Sequence, residues 1–196
     1  MVIELIKYPN NIQKKHEKII KYNNRGMTLE YEINLSNEYY LSKNIAVIYK
    51  KPTPIQVVEQ KNEKITKAFF KEPSTTDYNG VYKGKYIDFE AKETKSKTSF
   101  PINNIHKHQI KHLENILNQQ GIGFLIIRFT TLNKTYLLPA EYLLSFLNEN
   151  TRKSIPLAFF EKNAIIIKEN LSPRLDYLEV IDKLGGKLCQ KEEKGN

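Results

Sequence analysis

The sequence predicts an α/β or α+β layer fold. Segments with apolar residues at every second position interleave with segments whose apolar residues recur at helical spacing, the pattern of a sheet flanked by helices. The hydrophobic fraction is 40% and the aromatic fraction 11%, enough for a packed core and too much for a wholly disordered chain. A length of 196 residues suits one domain, or one domain with a protrusion.

Residues 1–26 mix Lys and Asn with few apolar anchors and read as a mobile N-terminal arm, ending at the turn-like run Asn23-Asn24-Arg25-Gly26. Thr28 is a capping residue, and Leu29, Ile33, Tyr40 and Leu41 follow near helical spacing. Residues 44–51 (NIAVIYKK) read as a strand. The next run, PTPIQVV-EQKNEK-ITKAFF, reads as two extended arms around a charged tip, a ribbon projecting from the body. Residues 71–80 are rich in turn formers. VYKGKYIDFEAKE reads as two strands joined by a tight Lys83-Gly84 turn, followed by the basic loop TKSKTSF. The spacing predicts a helix over 102–120, started after Pro101 and stopped by Gly121. IGFLIIRF and KTYLLP read as strands, 139–148 as a helix, AIIIKE as a short strand, PRLDYLEVIDKL as a terminal helix and KEEKGN as a frayed tail.

Composition excludes several classes. Cys189 is the sole cysteine, so an internal disulfide and a thiolate metal cluster are both ruled out. No apolar run approaches the ~20 residues that span a bilayer. The first residues, MVIELIKYPNNIQKK, have too short and too acid-interrupted an apolar part for a signal peptide, so a cytoplasmic location is expected. The net charge of +9 and pI near 9.4 favour an anionic partner, nucleic acid before an anionic membrane surface. The plain alternative is a solubility device in a Lys- and Asn-rich composition.

The chemistry is carried by YIDFEAKET, residues 86–94. A strand sends successive side chains to opposite faces. Ile87, Phe89 and Ala91 therefore point to the core, and Asp88, Glu90 and Lys92 share the other face. A plain solvated face produces the same alternation. Glu-x-Lys occurs four times in the chain, but only Glu90/Lys92 lies in an alternating strand with an acid, Asp77, one short hairpin upstream. A hairpin of that length returns the strand beside the loop, and the carboxylates of Asp77 and Glu90 can converge. Two such carboxylates suit Mg²⁺, which takes oxygen ligands and keeps several waters. The ion would polarise a scissile phosphate and promote attack by water, with Lys92 orienting that water or stabilising transition-state charge. Acid, acid and lysine are the parts needed to hydrolyse a phosphodiester.

Gln109 falls on the inward stripe of the 102–120 helix, between Ile105 and Leu113. A buried amide needs partners. It either reaches a metal or bonds sheet backbone. His108 and His112 are four apart, but position 109 is Gln where a zinc protease motif has Glu, so these histidines read as a surface facing solvent or DNA. Glu30 is either a helix N-terminal acid favoured by the dipole or an outer acid aimed at the cleft.

With these residues in view, KKPTP, PSTTDYNGVYKGKYIDFEAKETKSKTSFPINNIHKHQ and PRLDYL resemble the RecU Holliday junction resolvases of low-GC Gram-positive bacteria and their phages, over about Asn24 to Leu184. The resemblance implies a restriction-endonuclease-like, PD-(D/E)xK nuclease fold, a mixed central sheet flanked by helices with a protruding β stalk at about 52–70. It implies a nuclease domain over 27–188 and a frayed tail over 189–196. It implies Mg²⁺ contacts from Thr75, Asp77, Glu90 and Gln109, with Mn²⁺ a possible substitute, and Lys92 as transition-state stabiliser. Thr75 rests on the resemblance alone. Glu30 is implied near the cleft, and Asp88 is expected to support the ligands or pair with a neighbouring lysine. The implied activity is paired symmetric nicking of four-way DNA junctions by a homodimer, in homologous recombination and DNA repair, leaving 5′-phosphate ends, with a RecA-type recombinase and branch-migration machinery as further partners.

Two rivals stand beside this reading. A restriction-type or repair nuclease on the same fold would cut linear duplex. A non-cleaving junction-binding or recombinase-regulating protein would be indifferent to metal. A lipid-surface protein would need an amphipathic basic helix with a bulky apolar face, which the chain lacks.

Overall fold

A computed structural model describes residues 28–71 and 75–192, with side chains described as far as Gly185. The arm expected over 1–26 lies outside the described residues. Helix α1 (Leu29–Ser42) begins where Thr28 accepts the Tyr31 N–H at 3.3 Å. It leads into β1 (Ala46–Lys50). Strands β2 (Ile55–Lys61) and β3 (Lys64–Phe70) pair only with each other, as a separate two-stranded ribbon whose side chains are almost all exposed.

Strands β4 (Tyr78–Tyr82) and β5 (Lys85–Thr94) form the next hairpin. Its turn is Lys83-Gly84, with both residues left-handed at φ 48° and 76°. Positive φ at both central positions is the geometry that matches strand twist. After β5 come β6 (Ser99–Pro101), α2 (Lys107–Asn118), β7 (Ile122–Phe129), β8 (Lys134–Pro139) and α3 (Ala140–Glu149). Then follow β9 (Ser154–Pro156), α4 (Leu157–Asn163), β10 (Ile165–Ile166) and α5 (Tyr177–Glu192).

The main sheet has the order β1-β4-β5-β7-β8-β10. Only β5 and β7 run parallel, because α2 carries the chain back between them, while the other neighbours are antiparallel. The anticipated fold class, a mixed central sheet flanked by helices, is therefore the one observed. Both faces of the sheet are covered. Ile87, Phe89, Phe124 and Ile126 pack with Leu29, Ile33, Tyr177 and Ile181 of α1 and α5. Leu125, Ile127 and Phe129 face the other way, against Leu113, Leu143 and Phe160 of α2, α3 and α4. Phe89 stacks between Tyr78 and Phe124, with ring centroids 4.8 and 4.6 Å away. It anchors β5 to both neighbours at the level where the acids project.

Several element boundaries differ from expectation. The helix expected over 102–120 is a 3-10 turn at Ile102–Asn104, a break at Ile105, and α2 from Lys107. The break lets Ile105 stay buried while His106 caps the new helix. The terminal helix starts at Tyr177 rather than Pro173, with Arg174 and Leu175 held in an extended loop against α1. It runs on to Glu192, through the first part of the tail expected over 189–196. The small β6–β9 sheet and α4 were not anticipated, because their runs are too short to show a period.

Candidate active site

The hairpin register builds the site. Tyr78 pairs with Phe89, and the pairing extended by one residue sets Asp77 opposite Glu90. The Asp77 N–H donates to Glu90 Oε2 at 3.1 Å. The Ala91 N–H donates to Asp77 Oδ2 at 3.2 Å. The two carboxylates are thus laced together by backbone amides from opposite strands. Glu90 is wholly buried, at 0% exposure. Lys92, one strand period beyond, is half-buried, and its Nζ lies 2.5 Å from Glu90 Oε1. That oxygen is buried, with the Lys92 ammonium as its neighbour.

The electrostatics follow from this packing. Burial, then the charge of Asp77, pushes the Glu90 carboxyl up to about 7, while Lys92 pulls it back. Two neighbouring carboxylates whose charges repel one another fit a divalent cation. Among the described residues no three His, Cys, Asp or Glu side chains converge. An ion here would therefore draw on two carboxylates and neutral oxygens, with water completing the shell, a set that suits Mg²⁺.

Gln109 enters from α2. This helix runs antiparallel to β5, since it connects two parallel strands. His112 Nε2 lies 3.0 Å from Asp88 Oδ2. Gln109 lies three residues before His112, on the same face of the helix. Gln109 is buried, and its side-chain oxygen accepts the His106 N–H at 2.9 Å in a capping box. An amide oxygen has two lone pairs, so one remains for a further partner.

Thr75 is exposed at the rim, and its hydroxyl accepts from Lys51 Nζ at 3.0 Å. Glu30 pairs with Lys50 at 2.5 Å, and its backbone oxygen accepts from the Tyr78 hydroxyl at 3.3 Å. Burial, then the charges of Glu30 and Asp77, raises the Tyr78 phenol. Glu30 and Asp77 are thus both near the Tyr78 hydroxyl.

Asp88 shares a face with Glu90 and, as expected, pairs with a lysine: it is fully buried and lies 2.7 Å from Lys51. One feature differs from the sequence reading. His112, read as solvent- or DNA-facing, instead turns its ring onto Asp88, because α2 packs flat over this end of β5. Both contacts join positions 24 or more residues apart, beyond the reach of any local period. His106 and His108 stack on each other, 5.4 Å between ring centroids, on the exposed side.

Comparison with known proteins bears on this arrangement. The sequence model of the family described as RecU, Recombination protein U, matches residues 24–183. A protein of Lactococcus lactis subsp. cremoris named Holliday junction resolvase RecU is 52% identical over 176 residues, covering 87% of this chain and 83% of its own. The protein of that name from Oceanobacillus iheyensis is 52% identical over 181 residues, covering 88% and 91%. That from Streptococcus mutans is 48% identical over 196, covering 93% and 100%. Among solved structures, Archaeoglobus fulgidus Hjc, a Holliday junction resolvase, aligns at a TM-score of 0.40 with 13% identity, over 69% of this chain and 93% of its own. On the family match and on identity across nearly its whole length, the chain belongs to the RecU family.

Proposed function

We propose that the protein is a metal-dependent, structure-selective endonuclease that resolves four-way DNA junctions in homologous recombination and repair. The relatives' shared name supports the substrate. The single observation that carries the chemistry is the register that sets Asp77 opposite Glu90 on a buried floor, with Lys92 beside them.

Asp77 and Glu90 would hold the ion, with Thr75 and Gln109 supplying neutral oxygens. A bound Mg²⁺, or Mn²⁺ in its place, would polarise the scissile phosphate and favour attack by water in line with the leaving 3′ oxygen. The amide lacing from Asp77 and Ala91 presets the carboxylate directions before substrate arrives, which lowers the cost of reorganisation. Lys92 is held by Glu90 in the resting site. With a divalent cation on the Glu90 carboxylate, the Lys92 ammonium would be available to face the charge that develops on the phosphate oxygens. The products are 5′-phosphate and 3′-hydroxyl ends.

A homodimer would present two equivalent sites to the two equivalent strands of a junction, giving paired symmetric nicks. The division into an arm over 1–26, a nuclease domain over 27–188 with a stalk over 52–70, and a tail belongs to this reading. The stalk ribbon, with its exposed Phe69 and Phe70, would enter the junction centre. The net charge of +9 would grip phosphates with steep salt dependence. A RecA-type recombinase and the branch-migration machinery are the further partners of this reading. Among the described residues no helix is long and apolar enough to cross a membrane.

The test is incubation with a mobile four-way junction and a matched linear duplex, with Mg²⁺ and with chelator. Paired nicks in the junction alone, lost with chelator, are expected. Tight junction binding with no nicks under any divalent metal would overturn the nuclease reading.

A further inference from the structure

Lys51 is the residue at which the chain leaves the sheet for the β2–β3 ribbon, between the end of β1 and Pro52. Its backbone N–H donates to the Asp77 carbonyl at 2.8 Å. Its Nζ donates to Thr75 Oγ1 at 3.0 Å, Thr76 Oγ1 at 2.6 Å and Asp88 Oδ2 at 2.7 Å. One residue thus touches all three positions of the 75–77 loop and the strand that carries Glu90. The ribbon's other leg is closed onto the same base, where the Lys71 N–H donates to the Pro54 carbonyl at 3.0 Å.

Asp88 is the fixed end of this strut. It is fully buried, two residues before Glu90 on the same face. Its carboxylate is surrounded by Lys51, the Thr76 hydroxyl, the Tyr86 hydroxyl at 3.1 Å and His112 at 3.0 Å. A buried carboxylate held by donors from four places has one orientation open to it. The lysine that spans it to Thr75 is then equally constrained, although Thr75 itself is exposed.

The geometry points to Lys51 and Asp88 as a positioning pair that holds the 75–77 loop against β5 and joins the ribbon's base to the metal-binding acids. This inference rests on the nuclease reading above. Their effect runs through the placement of Thr75 and Asp77, where an error of about 1 Å is enough to cost about a hundredfold in rate.

The experiment compares Asp88→Asn, Lys51→Met, the double variant and Asp77→Ala with the parent. Four quantities are read: junction affinity in Ca²⁺, single-turnover cleavage rate, the Mg²⁺ concentration at half-maximal rate, and hydrogen exchange at the amides of residues 75–77 without metal. For both single variants the expected result is junction affinity within about twofold, a rate lower by at least about tenfold, a higher Mg²⁺ midpoint and faster exchange. The double variant is expected to be no worse than the poorer single, since both break one connection. It also removes the uncompensated buried charge that Lys51→Met leaves, so it folds if that single does not. Parental rates and midpoints in Asp88→Asn and the double variant overturn the inference. So does a loss of junction affinity in Lys51→Met with exchange unchanged, which would make Lys51 a phosphate contact. Inactive Asp77→Ala beside parental Asp88→Asn defeats only this pair, whereas active Asp77→Ala defeats the nuclease site itself.

Discussion

Asp77 and Glu90 face each other across the β4–β5 hairpin, the amide of one donating to the carboxylate of the other at 3.1 Å. Backbone register sets the two positions opposite each other whatever their side chains, and a Gln at 90 keeps an oxygen to accept the Asp77 N–H. Asp77→Ala and Glu90→Gln are therefore expected to fold and to bind a junction within about twofold of the parent, while cleavage falls by at least about a thousandfold. Gel-shift and single-turnover nicking assays on the same preparations check this, and cleavage near the parental rate by either variant would refute the assignment.

Glu90 also makes stability depend on pH. Its carboxyl is raised from the ordinary 4.5 to about 7 by burial and by the charge of Asp77. Between those values the folded protein binds the proton more tightly than the unfolded chain does. Without metal, stability is therefore lost as pH rises through this window. Mg²⁺ favours the ionised pair, so its stabilising effect is expected to be larger at about pH 8 than at about pH 5.5. Thermal melts with and without Mg²⁺ at both pH values measure it. Equal shifts would contradict the coupling, and Glu90→Gln should abolish most of the pH difference.

Gly80 lies where β4 passes β1 most closely. A Cβ placed there would come 2.1 Å from the Val47 carbonyl oxygen and 2.6 Å from Ile48 Cα. Those are backbone atoms, with no side-chain rotamer to give way. Gly80→Ala is expected to destabilise the protein by about 3 kcal/mol, the upper end for overpacked core positions, read as a fall in denaturant midpoint.

Arg128 at the end of β7 and Arg174 both reach the buried carboxylate of Glu32 on α1. Removing Arg128 alone strips that carboxylate of one partner, and Arg128→Ala should cost about 3 to 5 kcal/mol. The double variant Glu32→Gln/Arg128→Met leaves no unpaired buried charge and is expected to recover much of that loss. A double-mutant cycle showing simple additivity would contradict this account.

Among the described residues the ribbon of β2 and β3 pairs with no other strand and buries almost nothing. Replacing residues 53–70 with a short turn should leave the melting temperature within a few degrees, since little core is removed. Junction selectivity over linear duplex should fall sharply. A large loss of stability would show that the ribbon supports the body.

Much of this molecule was legible in its sequence, and the division has a physical cause. A period of two in residues 86–94 dictates which side chains share a face of β5, and thirteen residues from Asp77 to Glu90 with a Lys-Gly turn dictate that the acids meet. Those are local consequences of backbone geometry. What covers each face is not local. His112, expected to face solvent or DNA, is turned inward onto Asp88 by the packing of α2, and Gln109 caps its own helix. The helix boundary at Lys107 was decided by the burial of Ile105, and the reach of Lys51 to Asp88 by the way β1 flanks the hairpin. Alternation and turn chemistry are written residue by residue, whereas a buried charge finds its partner only when distant segments are packed together. The sequence by itself therefore determined the acid pair and its lysine, and the tertiary structure alone decided what holds them in place.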